Sequence, residues 1–443
     1  MSPSTRIAAA LTIVLFSSTK AGIAQAPAAG AIDTALARSY FLEAEAVVRR
    51  DAGALWGIPL RSPLIFGDPV TREVVAERGD TAGVLRRAGR VWTGTMPADR
   101  NVANTAQEWG GVQWITILWP PPAGYDAEAR ARRAELFAHE MWHGIQAELG
   151  IPMDDPTNAH LDEREGRLWL RLEARALRRA LETRGEARRD ALKDALHFRA
   201  ARTARFEGSA ALEGRLERHE GMASYTGLRL SGRDSAATAA RARELLAVLD
   251  TSSHLGRSFA YGTGPAYGVI LDSEMPGWRR RILDGAAPAA LLGEALGVSD
   301  RMGDPVARAQ RHCYRTIALE EQERERARDA RRMELRARLV GGPVLRLPFQ
   351  RMQMQIDPGN VEPLGEAGTV YRAIRISDQW GVLEAKGGSV LLAPDFSHAV
   401  VPRPDSVVGE HGSVVRGDGW VLTLAEGYRL REGPRAGDLT AAR

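Results

Sequence analysis

His139 and His143 stand four residues apart in Glu135-Leu136-Phe137-Ala138-His139-Glu140-Met141-Trp142-His143-Gly144, with Glu140 directly after the first histidine. On an α-helix, residues four apart lie one above the other on the same face, so both imidazoles can aim a ring nitrogen at one ion. Glu140 is turned by about 100° from His139, which brings its carboxylate toward a water on that ion rather than onto the ion itself. Two neutral imidazoles leave Zn²⁺ its positive charge, and the pKa of bound water then falls toward about 7. Glu140 can accept the proton as that water attacks a carbonyl.

Zinc needs at least a third protein ligand, because two imidazoles rarely hold it against solvent. The single cysteine, Cys313, lies in Arg311-His312-Cys313-Tyr314-Arg315 with no accompanying glycine-rich or glutamine motif, so the third ligand is expected to be a carboxylate or a histidine. Two glutamates interrupt apolar helical stripes. Glu173 falls on the face of Trp169, Leu170, Ala176 and Leu177; Glu220 falls with Leu216, Ala223 and Gly227. A buried carboxylate requires a cation, a donor or a proton, and zinc would serve for one of the two.

HEMWH followed by Glu220-Gly221-Met222-Ala223-Ser224-Tyr225 resembles the gluzincin zinc metallopeptidases, which carry HExxH and then an EGxAxY-like helix. The resemblance implies His139 and His143 as ligands, Glu140 as general base and Glu220 as third ligand, over about a quarter of the chain, from Gln113 to Gly227. One departure stands out: Glu220 follows His143 at an unusually long interval. Either an inserted helical hairpin lengthens the gap, or Glu173 is the ligand and Glu220 orients a histidine from outside.

Around these residues the expected elements are a helix from Ala31 to about Ala54, then short strands at Leu64–Phe66, Glu73–Val75, Arg90–Thr93 and Gln113–Leu118. The last stands where such peptidases keep an edge strand that pairs with extended substrate, set against an ordinary core strand built on Trp114, Ile115 and Ile117. Helices follow at Ala127–Leu149, Leu161–Thr183, Ala187–Arg205, Ala210–Leu228, Ser235–Leu249 and Thr316–Leu339. Between them, Phe259 to Gly268 combines glycines, a helix-starting Pro265 and two tyrosines. Tyr261 and Tyr267 are candidates to hydrogen-bond the oxyanion formed in hydrolysis, set against plain packing under a glycine-rich turn. The remaining histidines, His219 included, lack ligand spacing. After Gly341-Gly342-Pro343 the pattern changes to short strands, among them Thr369–Ile376, Gly381–Glu384, Gly388–Leu392, Ala399–Val401 and Gly419–Leu424.

The expected fold class is therefore α+β: a zincin-like, mostly helical domain over residues 27–340 with a small N-terminal sheet, then a β-rich domain over residues 341–443. Residues 1–26 have the form of an export signal: Arg6, an apolar run from Ile7 to Phe16, and the small residues Ala24-Gln25-Ala26. A secreted or periplasmic protein is expected, with no stable membrane insertion once the signal is removed, and with stability drawn from packing and metal because one cysteine makes no internal disulfide. The formal charge is only +4, and arginines alternate with glutamates, as in Glu320-Glu321-Gln322-Glu323-Arg324, so nucleic acid is not an expected partner. A peptide or protein substrate is. The alternatives are a non-catalytic cell-envelope binding protein with a structural zinc site, which would have no use for Glu140, and a zinc amidase acting on non-protein amides.

Overall fold

The computed structural model describes residues 31–60, 63–97, 100, 102–252, 254–298, 304–356, 361–408 and 413–443. The expected export signal and His411 lie outside the described residues. Helices and strands both contribute, in keeping with the α+β class. Contacts divide the chain into two compact units, one ending at Gln322 and the other running from Glu323 to Arg443. The division falls inside the helix Tyr314–Arg336, before the expected Gly341-Gly342-Pro343 break. Leu335 and Leu339 account for this, since they bury with Val344, Val370 and Leu391 of the second unit.

The first unit opens with α1 (Thr34–Asp51), whose N-terminus is capped by the Asp33 carboxylate accepting from the backbone N–H of Ala35 and Leu36. Six strands follow: β1 (Leu64–Gly67), β2 (Glu73–Ala76), β3 (Arg86–Ala88), β4 (Val91–Thr95), β5 (Thr105–Trp109) and β6 (Val112–Leu118). They form one sheet in the order β3-β4-β2-β1-β6-β5, with only β1 and β6 parallel. Alternate residues serve opposite faces. Phe66, Ile115 and Ile117 join the large helical core, while Ile65, Val112 and Trp114 join a second cluster on the other side. On the helical side Phe66 stacks on Phe41 of α1, with ring centroids 4.6 Å apart.

Of the two readings of Gln113–Leu118, the core strand holds. β6 pairs with β1 on one side and with β5 on the other, so its backbone is engaged on both and cannot take up an extended peptide. The edge is β5. Its polar sequence Thr-Ala-Gln-Glu-Trp shows little of the alternation that marks a strand.

From the sheet the chain enters α2 (Ala127–Ile145), capped by the Asp126 side chain on Ala129 N–H at 2.7 Å. An antiparallel pair, α3 (Arg164–Glu182) and α4 (Gly185–Thr203), comes next. Then α5 (Ser209–Leu216) runs through one wide turn of π geometry, Glu217–Gly221, into α6 (Met222–Leu230), with Met222 N–H bonding Glu217 C=O. Such turns insert one extra residue into a helix, and they recur at functional sites. α7 (Ser235–Val248) and α8 (Phe259–Glu274) complete the frame of the site.

The expected glycine-rich turn before Pro265 is instead part of α8, with the proline inside the helix. The glycines serve packing. A Cβ on Gly264 would lie 2.2 Å from Gly221 Cα, and a Cβ on Gly227 would lie 2.3 Å from the Glu135 carbonyl oxygen, so α8 meets the π turn, and α6 meets α2, backbone to backbone. Gly264→Ala is expected to cost about 1–3 kcal/mol by overpacking. It should also weaken metal binding, because the backbone that must move adjoins Glu220. Denaturant midpoints with metal titration check both effects; an unchanged midpoint would show that the crossing has room to relax.

In the second unit eleven strands make one sheet among the described residues. Its centre is the long hairpin Thr369–Asp378 and Gly381–Leu392, the latter joining two stretches expected as separate strands. Leu345, Trp380, Leu383, Val401 and Leu422 bury beneath it. Among the described residues no helix is long and apolar enough to cross a membrane.

Candidate metal centre

α2 does what the helical period requires of it. The Nε2 atoms of His139 and His143 come within 3.3 Å of each other. Glu220, from the π turn between α5 and α6, brings Oε2 to 3.6 Å from His139 Nε2 and 3.5 Å from His143 Nε2. That oxygen is buried and accepts no hydrogen bond from any described residue. A carboxylate oxygen buried without a donor is costly, and a cation resolves the cost. These three side chains form a group that could hold a metal ion.

Each of the three side chains is also held from behind, as a metal ligand would be. Ser224 Oγ lies 3.3 Å from His139 Nδ1, and Gln146 Oε1 lies 2.9 Å from His143 Nδ1. Glu220 Oε1 accepts from Arg257 Nη2 at 2.6 Å, and His219 Nε2 lies 3.4 Å from the same oxygen. Arg257 is in turn paired with Asp155.

Glu140 is 6% exposed and makes no hydrogen bond or ion pair with the described residues. Burial pushes its pKa up, against the pull of His139 and His143. For His143, burial opposes the charge, but the Glu220 carboxylate outweighs it and lifts the pKa to about 9. Burial is also the main reason that the Tyr261 phenol is raised well above its usual value, with Glu220 adding to it. The Tyr261 ring stacks on that of His139, centroids 5.9 Å apart and planes 16° from parallel, and its hydroxyl lies 3.5 Å from Arg257 Nη2.

Glu173 and Tyr267 belong elsewhere. Glu173 is fully buried, but its carboxylate meets Arg202 at 2.6 Å and Arg199 at 3.2 Å, and accepts from the Tyr267 hydroxyl at 2.7 Å. Glu213 and Glu217 complete this buried ion cluster: Arg202 bonds both oxygens of Glu213, and Arg199 those of Glu217. The cation that Glu173 requires is therefore guanidinium from α4, and Tyr267 is a donor to that cluster rather than to an oxyanion. The antiparallel α3–α4 pair occupies the interval between His143 and Glu220.

From the sequence alone Gln146, Ser224 and Arg257 carry no role, and His219 is set aside there for lack of ligand spacing. A signal existed for two. Gln146 lies one turn beyond His143 on the same face, and Ser224 one turn beyond Glu220, where side chains behind a ligand are reached. Arg257 lies in a loop, and no periodicity marks it.

Glu220→Ala is expected to lower metal affinity by more than about 100-fold, beyond the loss typical of residues that only support a ligand. Glu173→Gln should leave the metal bound. Metal content after dialysis distinguishes them, and the reverse order would return Glu173 to the ligand set.

No protein-family model matches the chain, and neither a curated protein nor a solved structure matches it.

Proposed function

We propose that the chain is an exported zinc-dependent hydrolase of peptide bonds. The observation that carries this reading is the spacing of the three ligand atoms. Around an ion bound at about 2.0–2.2 Å in a tetrahedron, neighbouring ligand atoms lie about 3.3–3.6 Å apart. The edges here measure 3.3, 3.5 and 3.6 Å. Octahedral Mg²⁺, with bonds of about 2.1 Å, would need edges near 3.0 Å. Three protein ligands, the number grouped among the described residues, also fit a catalytic site better than a structural one, which closes with four.

Zinc bound there would supply a water of lowered pKa and a Lewis acid for the carbonyl oxygen. Glu140, without a hydrogen-bond partner and made more basic by burial, would serve as the carboxylate that holds a proton between the attacking water and the leaving amine. Tyr261 would donate its phenolic hydrogen to the oxyanion from the His139 side of the site. The resemblance of HEMWH and EGMASY to gluzincins supports a peptide carbonyl as the target, and residues 1–26 support action outside the cytoplasm.

The test is hydrolysis of unfolded protein and of a broad peptide library by purified protein, before and after chelation. Activity should vanish with the chelator and return with about one equivalent of Zn²⁺. A protein that binds zinc tightly yet cleaves none of these substrates would overturn the peptidase reading and leave zinc binding in place.

A further inference from the structure

We propose that Gln146 and His219 are positioning residues that form one directed hydrogen-bond chain, which presents the His143 Nε2 lone pair to the metal and an Nε2–H of His219 to Glu220. The Gln146 side chain is fully buried and contacts three partners. Its Nε2 is 2.9 Å from the Pro152 carbonyl oxygen and 2.7 Å from His219 Nδ1, and its Oε1 is 2.9 Å from His143 Nδ1.

The direction of the chain follows from donors and acceptors. Pro152 C=O can only accept, so the nitrogen of the amide must face it, and the oxygen is left to face His143. The oxygen accepts, so His143 carries a proton on Nδ1, and Nε2, the atom that faces Glu220 Oε2, is the nitrogen left to offer a lone pair to an ion. The second amide hydrogen points at His219 Nδ1, which must then be bare, putting the His219 proton on Nε2.

A second contact decides the same way. His219 Nδ1 is also 3.0 Å from Gln146 Oε1, which would permit an Nδ1–H in isolation. That tautomer would set a bare Nε2 lone pair against the Glu220 carboxylate 3.4 Å away, and two acceptors repel. With Nε2–H instead, Glu220 Oε1 receives His219 and Arg257 together, which leaves Oε2 as the oxygen free for the ion. Glu220 would thus bind through one oxygen, held by a chain that begins one helical turn beyond His143.

The inference rests on the metal reading only in its affinity arm. Nitrogen-15 NMR of the metal-free protein at pH 8 reads the His219 tautomer directly, so failure of zinc binding and failure of this chain are distinguishable. In wild type the proton should be on Nε2. Gln146→Glu is close in shape and can still accept from His143 but cannot donate; the His219 proton should move to Nδ1, and Zn²⁺ affinity should fall by about 10- to 100-fold. His219→Gln, whose amide can still donate to Glu220, should retain affinity within about 10-fold, whereas His219→Leu should lose as much as Gln146→Glu. Melting curves of the metal-free variants separate loss of fold from loss of positioning. The proposal is overturned if wild-type His219 carries its proton on Nδ1, or if folded Gln146→Glu keeps both the wild-type tautomer and the wild-type affinity.

Discussion

Glu140→Gln should leave about one zinc per chain in place and lower hydrolysis of an unfolded protein substrate by about 10²–10⁴-fold, the range that a positioned general base contributes. The side chain is not one of the three grouped side chains and makes no hydrogen bond or ion pair with the described residues, so its replacement removes neither. The substitution keeps the shape and removes only the capacity to take a proton. The loss should appear in kcat, because the proton moves in the transition state and substrate binding does not depend on it. Metal content alongside kcat and KM decides the matter. A variant that retains most of its activity would remove Glu140 from the mechanism, and one that loses its zinc would make it a ligand.

Arg202→Met should lower the free energy of unfolding by about 3–5 kcal/mol, the cost of removing one partner from a buried ion cluster and leaving Arg199 as the remaining guanidinium for Glu173 and Glu213. Arg202 is fully buried and meets Glu173 at 2.6 Å and Glu213 at 2.7 Å, both of them fully buried as well. Burial opposes the charge on Glu213, but Arg202 beside it holds the carboxyl well below the usual carboxylate range. A depressed folded pKa contributes stability above the unfolded value, near 4.5, and that contribution is lost as pH falls toward the folded value. The wild type should therefore lose stability progressively as pH falls below about 5, and the variant, already without much of this contribution, less steeply. Folded Arg202→Met should still bind zinc, because the cluster shares no residue with the metal ligands. Denaturant titrations across this pH range and metal analysis of the folded fraction test both parts; a cost below about 1 kcal/mol would mean that water or rearrangement compensates the carboxylates.

Most helices were legible because their apolar stripes persist over several turns. α2 begins at Ala127 as expected, and α3, α4 and α7 fall within a few residues of their expected limits. The misreadings share a cause. β5 has too polar a sequence to announce itself, and its pairing places β6 inside the sheet. The glycines of Phe259–Gly268 looked like a turn because a glycine that permits close helix approach is indistinguishable, in one sequence, from a glycine that permits a bend. The π turn has no compositional mark.

His139, Glu140 and His143 were determined by the sequence itself, because the helical period is a local property and four residues bring two side chains onto one face wherever the helix lies. Which glutamate joins them was not. Glu173 and Glu220 each break an apolar stripe and each need positive charge, and nothing local distinguishes them. The choice is made by packing: α4 carries Arg199 and Arg202 to Glu173, while the glycine crossings at Gly221–Gly264 and Gly227–Glu135 bring the π turn against α2 and turn Glu220 toward the histidines. Which cation a buried carboxylate finds depends on helices distant in sequence, and only the tertiary structure brings them together.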